Sequence, residues 1–168
     1  MKNIENNVNE MEQEMTEQEI LMNEDELIRG LLEAADYQQE NALQKKIQIK
    51  RNNKVLFEFR IHPLSEEDVQ TMRKRCTKYM PNPNGRHLPK IEVETNWVRM
   101  RSMKIYEATV AEDQEKLWNN KAVMQKLKVL DPVEVVELVL MAGEKDAVID
   151  QIDNISGYGV NLENYAEN

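Results

Sequence analysis

KIQIKRNNKVLFEFRIHPLSEEDVQTMRKRCTKYM, residues 46–80, holds the clearest local pattern in the chain. Ile47 and Ile49 alternate with polar residues, and Val55, Phe57, Phe59 and Ile61 do the same, the period-two signature of two half-buried strands. Asn52-Asn53 lies between them, and asparagine tolerates the positive φ angles of a tight hairpin turn. Pro63 ends the ladder, because it has no amide hydrogen to donate and steers His62 away from helix. Ser65 stands three residues before Asp68, so its hydroxyl can accept the Asp68 amide while acids occupy the positive end of a new helix. Val69, Met72, Cys76 and Tyr79 or Met80 then recur at helical spacing. The stretch predicts a β-hairpin, a proline and a capped helix.

Downstream, residues 81–89 carry three prolines, a glycine and two asparagines, which predicts a loop. Residues 94–110 read as a helix with Trp97, Val98, Ile105, Ala108 and Thr109 on one side, widened by Met100 and Met103. A connector follows, ending in Trp118, which either plugs the domain or anchors an interface; plugging is the plainer reading. Asp131-Pro132 sets an acidic cap before a proline at the first helical position. The run from Val133 to Met141 is apolar nearly all round, so 132–142 is expected to be the central core helix, with Gly143 ending it in the left-handed conformation. Glu144 then opens a helix bearing Ala147, Val148, Ile152 and Ile155, closed by Gly157 and Gly159.

Upstream, residues 1–22 are too polar to offset the entropy of ordering, and disorder or a weak helix is expected there in isolation. Residues 24–43 predict a short amphipathic helix with a narrow stripe of Leu27, Ile28, Leu31, Leu32 and Ala35, free to pack on its own domain or on a partner. The expected architecture is α+β and mainly α-helical: an acidic arm over 1–44, a β-hairpin packed on a small helical bundle over 45–158, and a polar tail over 159–168.

Charge is segmented along the 168 residues. Residues 1–44 carry 12 acids against 2 bases, residues 45–130 carry 10 against 19, and residues 131–168 carry 9 against 1. The plainer reading is that acidic ends fold against a basic middle; the sharper one is that the middle binds something acidic. No apolar run approaches the roughly 18 residues of a membrane helix, and the amino terminus lacks a basic start and apolar stretch. Cys76 is the single cysteine, which suits a reducing, cytoplasmic setting. His62 and His87 lie 25 positions apart and cannot complete a zinc set with one cysteine. No phosphate loop, dinucleotide turn, HExxH or nucleophile elbow occurs. A non-enzyme without cofactor is the resulting expectation.

The order of hairpin, I-x-P-L-S-E (61–66), helix, I-Y-E-A-T-V (105–110), L-W-x-N (117–120) and L-x-x-G-E (140–144) resembles the XkdN-like tail assembly chaperones of contractile-tailed phages, defective prophages and phage-tail-like bacteriocins. The resemblance spans about residues 45–158. It implies a cytoplasmic non-enzyme that coats the tape-measure protein until tail-tube subunits polymerise around it, and that is absent from the finished particle. The tail-tube protein and a second copy of the chain are further contacts it allows. An adaptable aliphatic and methionine surface suits capture of long amphipathic helices, so Leu27, Leu31, Met100, Met103 and Trp118 are the expected partner-binding residues. Two other readings stay open. One is a module binding nucleic acid or another acidic partner through Lys74, Arg75, Lys78, Arg86, Lys90, Arg99 and Arg101, against which stand the acidic total and the lack of a binding motif. The other is a minor structural tail subunit.

Overall fold

The computed structural model of the chain describes residues 24–36 and 43–158. The chain divides into two units, Met1–Gln39 and Glu40–Asn168. The expectations for residues 1–22, for 37–42 of the first helix, for Gly159 and for the tail fall outside the described residues. In the first unit, residues 24–36 form helix α1, and Leu27, Ile28, Leu31 and Leu32 are exposed along it.

The second unit opens with the expected hairpin. Strand β1 (Lys45–Arg51) pairs antiparallel with β2 (Lys54–Ile61), setting Ile47 opposite Phe59 and Ile49 opposite Phe57. Asn52 and Asn53 have φ of 52° and 60°, the doubly positive turn that matches strand twist. Helix α2 (Glu66–Cys76) starts on Ser65, whose Oγ accepts the Asp68 amide at 3.1 Å while Asp68 Oδ2 accepts the Ser65 amide at 2.8 Å. The helix stops at Cys76, so Tyr79 and Met80 are not its last turn. Thr77–Met80 forms β3, which pairs with β4 (Ile91–Thr95) across the proline-rich loop. Thr77 makes the change of direction: its Oγ1 donates to the Arg73 carbonyl at 2.7 Å and lies 2.8 Å from Thr95 Oγ1. The start expected for the next helix, residues 94 and 95, is therefore strand.

Helix α3 (Trp97–Ala108) follows, capped by Asn96 Oδ1 accepting the Arg99 amide at 3.0 Å. The connector contains two short helices, α4 (Ala111–Lys116) and α5 (Lys121–Leu127), the second capped by Asn120. Helix α6 (Pro132–Val139) starts on Asp131 as expected, its Oδ1 accepting the Val133 amide at 2.9 Å. It is not the central helix. Val133, Val135 and Val136 are buried but Leu138 faces outward, whereas α3 packs against α2, α6 and α7 (Ala142–Ile155). Gly143 does not end α6: the break falls at Leu140 and Met141 in extended conformation, and Gly143 lies in the first turn of α7. Glu144 holds that turn by accepting the Met141 amide at 2.8 Å. Gly157, at φ 90°, follows the end of α7.

One core joins these elements, with Ile47, Phe59, Ile61, Met72, Ile105 and Ile152 among its buried residues. The motifs that carry the sequence resemblance all converge on it or on helix ends. Ile61, Leu64, Ile105, Ala108, Trp118 and Leu140 are buried. Ser65, Asn120 and Glu144 hold the starts of α2, α5 and α7.

Candidate partner-binding surface

The expected partner-binding residues separate. Met100, Met103 and Trp118 are 9%, 1% and 1% exposed, so these three serve the core and offer no surface in this structure. Leu27 and Leu31 of α1 are 63% and 62% exposed. Trp118 is the plug: its ring meets Phe57 and Phe59 edge-on, with centroids 6.0 and 5.5 Å away. Its Nε1 donates to Thr109 Oγ1 at 3.0 Å, and Thr109 in turn donates to the Ile105 carbonyl at 2.7 Å. Met103 packs with Cys76, Sγ to Sδ at 3.8 Å, and burial pushes the Cys76 thiol above its usual range.

In the second unit, exposed apolar residues stand singly at Leu130, Leu138 and Met141, among others, and form a group on the second hairpin and the first turn of α3. Met80 and Ile91 are register partners and share a face; Lys78, two positions from Met80, is on that face with its partner Glu94. Met80, Ile91, Val93, Trp97 and Val98 are all exposed, Trp97 at 63%. A hollow of about 420 Å³ opens beside them, bounded by Lys78, Glu94, Asn96, Trp97 and Val98 with Cys76 and Thr95 at its base. An exposed tryptophan next to such a hollow is the kind of anchor that dominates interfaces. The sequence carried a signal for this surface: Ile91-Glu92-Val93-Glu94-Thr95 alternates with period two. Trp97 and Val98 share the helical period of buried Ile105 and Ala108, but they lie in the first turn of α3 and are exposed.

About half of the bases in the middle segment are paired with acids. Arg51 grips both oxygens of Glu144 at 2.8 Å, and the pairing holds the Glu144 carboxyl below its usual range. Arg99 pairs with Asp131, Arg101 with Asp146 and Lys104 with Asp153. Burial works to raise the Asp131 carboxyl, but hydrogen bonds from Arg99 and the Val133 amide leave it lowered. Within the middle, Arg60 clamps Asp113 at 3.0 Å and depresses its carboxyl, while Arg75 pairs with Glu107. Lys74, Arg86 and Lys90 make no ion pair among the described residues.

Among the described residues no group of three or more His, Cys, Asp or Glu is placed to hold a metal ion. None of their helices is long and apolar enough to cross a membrane.

Comparison with known proteins agrees with the order of motifs. No curated protein matches the chain. The crystal structure of the protein yqbn shares 18% identity over 68% of this chain and 87% of that one, at a TM-score of 0.41. The family model described as "Phage XkdN-like tail assembly chaperone protein, TAC" matches residues 28–168. Since that match covers most of the chain, this protein belongs to the phage XkdN-like tail assembly chaperone family.

Proposed function

We propose that the chain binds the tape-measure protein in the bacterial cytoplasm, keeps it soluble until the tail tube polymerises, and leaves before the particle is complete. The observation that carries this reading, beside family membership, is the uncovered apolar surface of Met80, Ile91, Val93, Trp97 and Val98. A tape measure presents amphipathic helical stripes that aggregate when bare, and a helix laid in an apolar groove is a recurring recognition mode. The exposed stripe of α1 is a second surface of the same chemistry. The client engages Leu27, Leu31 and the second hairpin, while Met100, Met103 and Trp118 support the domain from inside.

The nucleic-acid reading is weakened by the pairing of Arg75, Arg99 and Arg101 with carboxylates, which leaves fewer cations for phosphate. Co-expression with the tape-measure protein of the same gene cluster tests the proposal: soluble tape measure should increase, and purified tails should lack this chain. Unchanged tape-measure solubility would sink the chaperone assignment of this surface. A stoichiometric band in purified tails would make the chain a structural subunit.

A further inference from the structure

The two edges of the β1–β2 sheet differ. The outer edge of β2 is closed at its C-terminal end: the Val110 amide donates to the Arg60 carbonyl at 2.9 Å, the His62 amide to the Ala108 carbonyl at 2.8 Å, and Ile61 bridges Thr109. The outer edge of β1 pairs with no strand among the described residues. Beside it lies a trough of about 370 Å³, lined by residues 45–50 and by Glu144, Ala147, Val148 and Gln151 of α7. Alternate strand side chains point to opposite faces, so six consecutive residues can line one space only along the strand's edge. The α7 residues fall at i, i+3, i+4 and i+7, a single helical stripe. The space is therefore a slot between an open strand edge and a helix wall, about 20 Å long at the usual rise per strand residue.

Ile47, Ile49 and Val148 are buried along this slot, and Ala147 leaves room with its single methyl. Lys46 and Lys50 rim it, and Lys45 reaches across one end to donate to the Gln151 side-chain oxygen. The one carboxylate, Glu144, is already held by Arg51. Lys46 pairs with Glu58 in the open, an arrangement a closer anion can replace.

We propose that this slot takes an extended acidic segment of another protein as a third strand. Its main chain pairs with β1, its side chains lie along exposed Ala147 and the stems of the edge lysines, and its carboxylates meet Lys46 and Lys50 and draw Lys45 from the Gln151 oxygen. A second copy of β1 is the wrong occupant, since it would set lysine against lysine. Edge lysines also protect a strand from unwanted pairing. Protection alone does not account for a trough walled by α7 beside that edge. The inference stands apart from the helical client, whose main chain is internally bonded and has nothing to offer a strand edge.

Titration of the isotope-labelled full chain with acetyl-Glu-Ile-Glu-Val-Asp-Ile-Glu-amide tests it by amide chemical shifts. Saturable shifts are expected at residues 45–51 and along α7. The same peptide N-methylated at alternate amides should bind about tenfold more weakly or worse, because it cannot complete the ladder. Ala147→Trp fills the slot from an exposed position and should abolish the shifts. Should that variant fold poorly, Lys46→Glu with Lys50→Glu leaves the slot open and should weaken binding by about tenfold. No shifts, equal binding of the N-methylated peptide, or displacement of the peptide by oligothymidylate from the same residues would each overturn the proposal.

Discussion

Trp118 ties three parts of the second unit together through two aromatic edges and one indole N–H. Its truncation removes the ring from Phe57 and Phe59 and leaves Thr109 without its donor. Trp118→Ala is therefore expected to cost about 3–5 kcal/mol of unfolding free energy, read from the urea midpoint. A loss below about 1 kcal/mol would mean that the ring is not packed as described. Lys145 presents the opposite case. It is 6% exposed, its Nζ donates to the fully buried Ser102 Oγ at 3.1 Å, and burial lowers its pKa from 10.5. Glu137 opposes and Arg101 assists that shift. Between the lowered folded value and 10.5 the unfolded chain binds more protons, so stability rises with pH across that window. Lys145→Met should be no less stable at neutral pH and should lose this alkaline rise, because Ser102 can turn its hydroxyl to the helix backbone. An undiminished rise in the variant would assign the effect to another group.

At the scale of elements, the first hairpin rests on its turn. Both asparagines have positive φ, which costs an ordinary L-residue about 1–2 kcal/mol. Asn53→Ala should lower stability by about 1 kcal/mol while Asn53→Gly is neutral or stabilising, a pair of midpoints that separates backbone strain from loss of the amide. This hairpin, the Ser65 cap and the Asp131-Pro132 start were legible because each is local: alternation, turn chemistry and capping lie within a few residues. The second hairpin was not read because ten residues of loop separate its strands, and Tyr79 and Met80 fit a helical period equally well. Leu138 misled for a different reason. A run that is apolar all round says nothing about which side the domain leaves open. The site was harder still, since the quoted family motifs encode plugs and caps, so resemblance identified the family through its skeleton while the exposed residues show only the short alternation of residues 91–95.

On the scale of the whole molecule, part of the charge segmentation resolves into internal pairing: bases of residues 45–130 meet acids of residues 131–168 at Arg51–Glu144, Arg99–Asp131, Arg101–Asp146 and Lys104–Asp153. Glu144, Asp131 and Asp113 have folded pKa values below their ordinary 4.5 and 3.8. Such groups contribute stability above the unfolded values and lose it as pH falls through the folded ones. Stability should therefore decline from about pH 4.5 downward. Asp113→Asn should be less stable at neutral pH and show a shallower acid decline, both visible in urea midpoints across that range. A decline as steep as in the parent would place the responsible carboxylates elsewhere. The proposed client is accordingly expected to be held by apolar contact more than by charge.

That claim is tested most directly by pulling down co-expressed tape-measure protein at low and high salt, with the parent chain and with Met80→Asp and Trp97→Ala. Apolar capture predicts that the parent retains the tape measure at both salts and that both variants, folded as judged by their urea midpoints, release most of it. Capture that vanishes at high salt, or that both variants keep in full, would contradict the account.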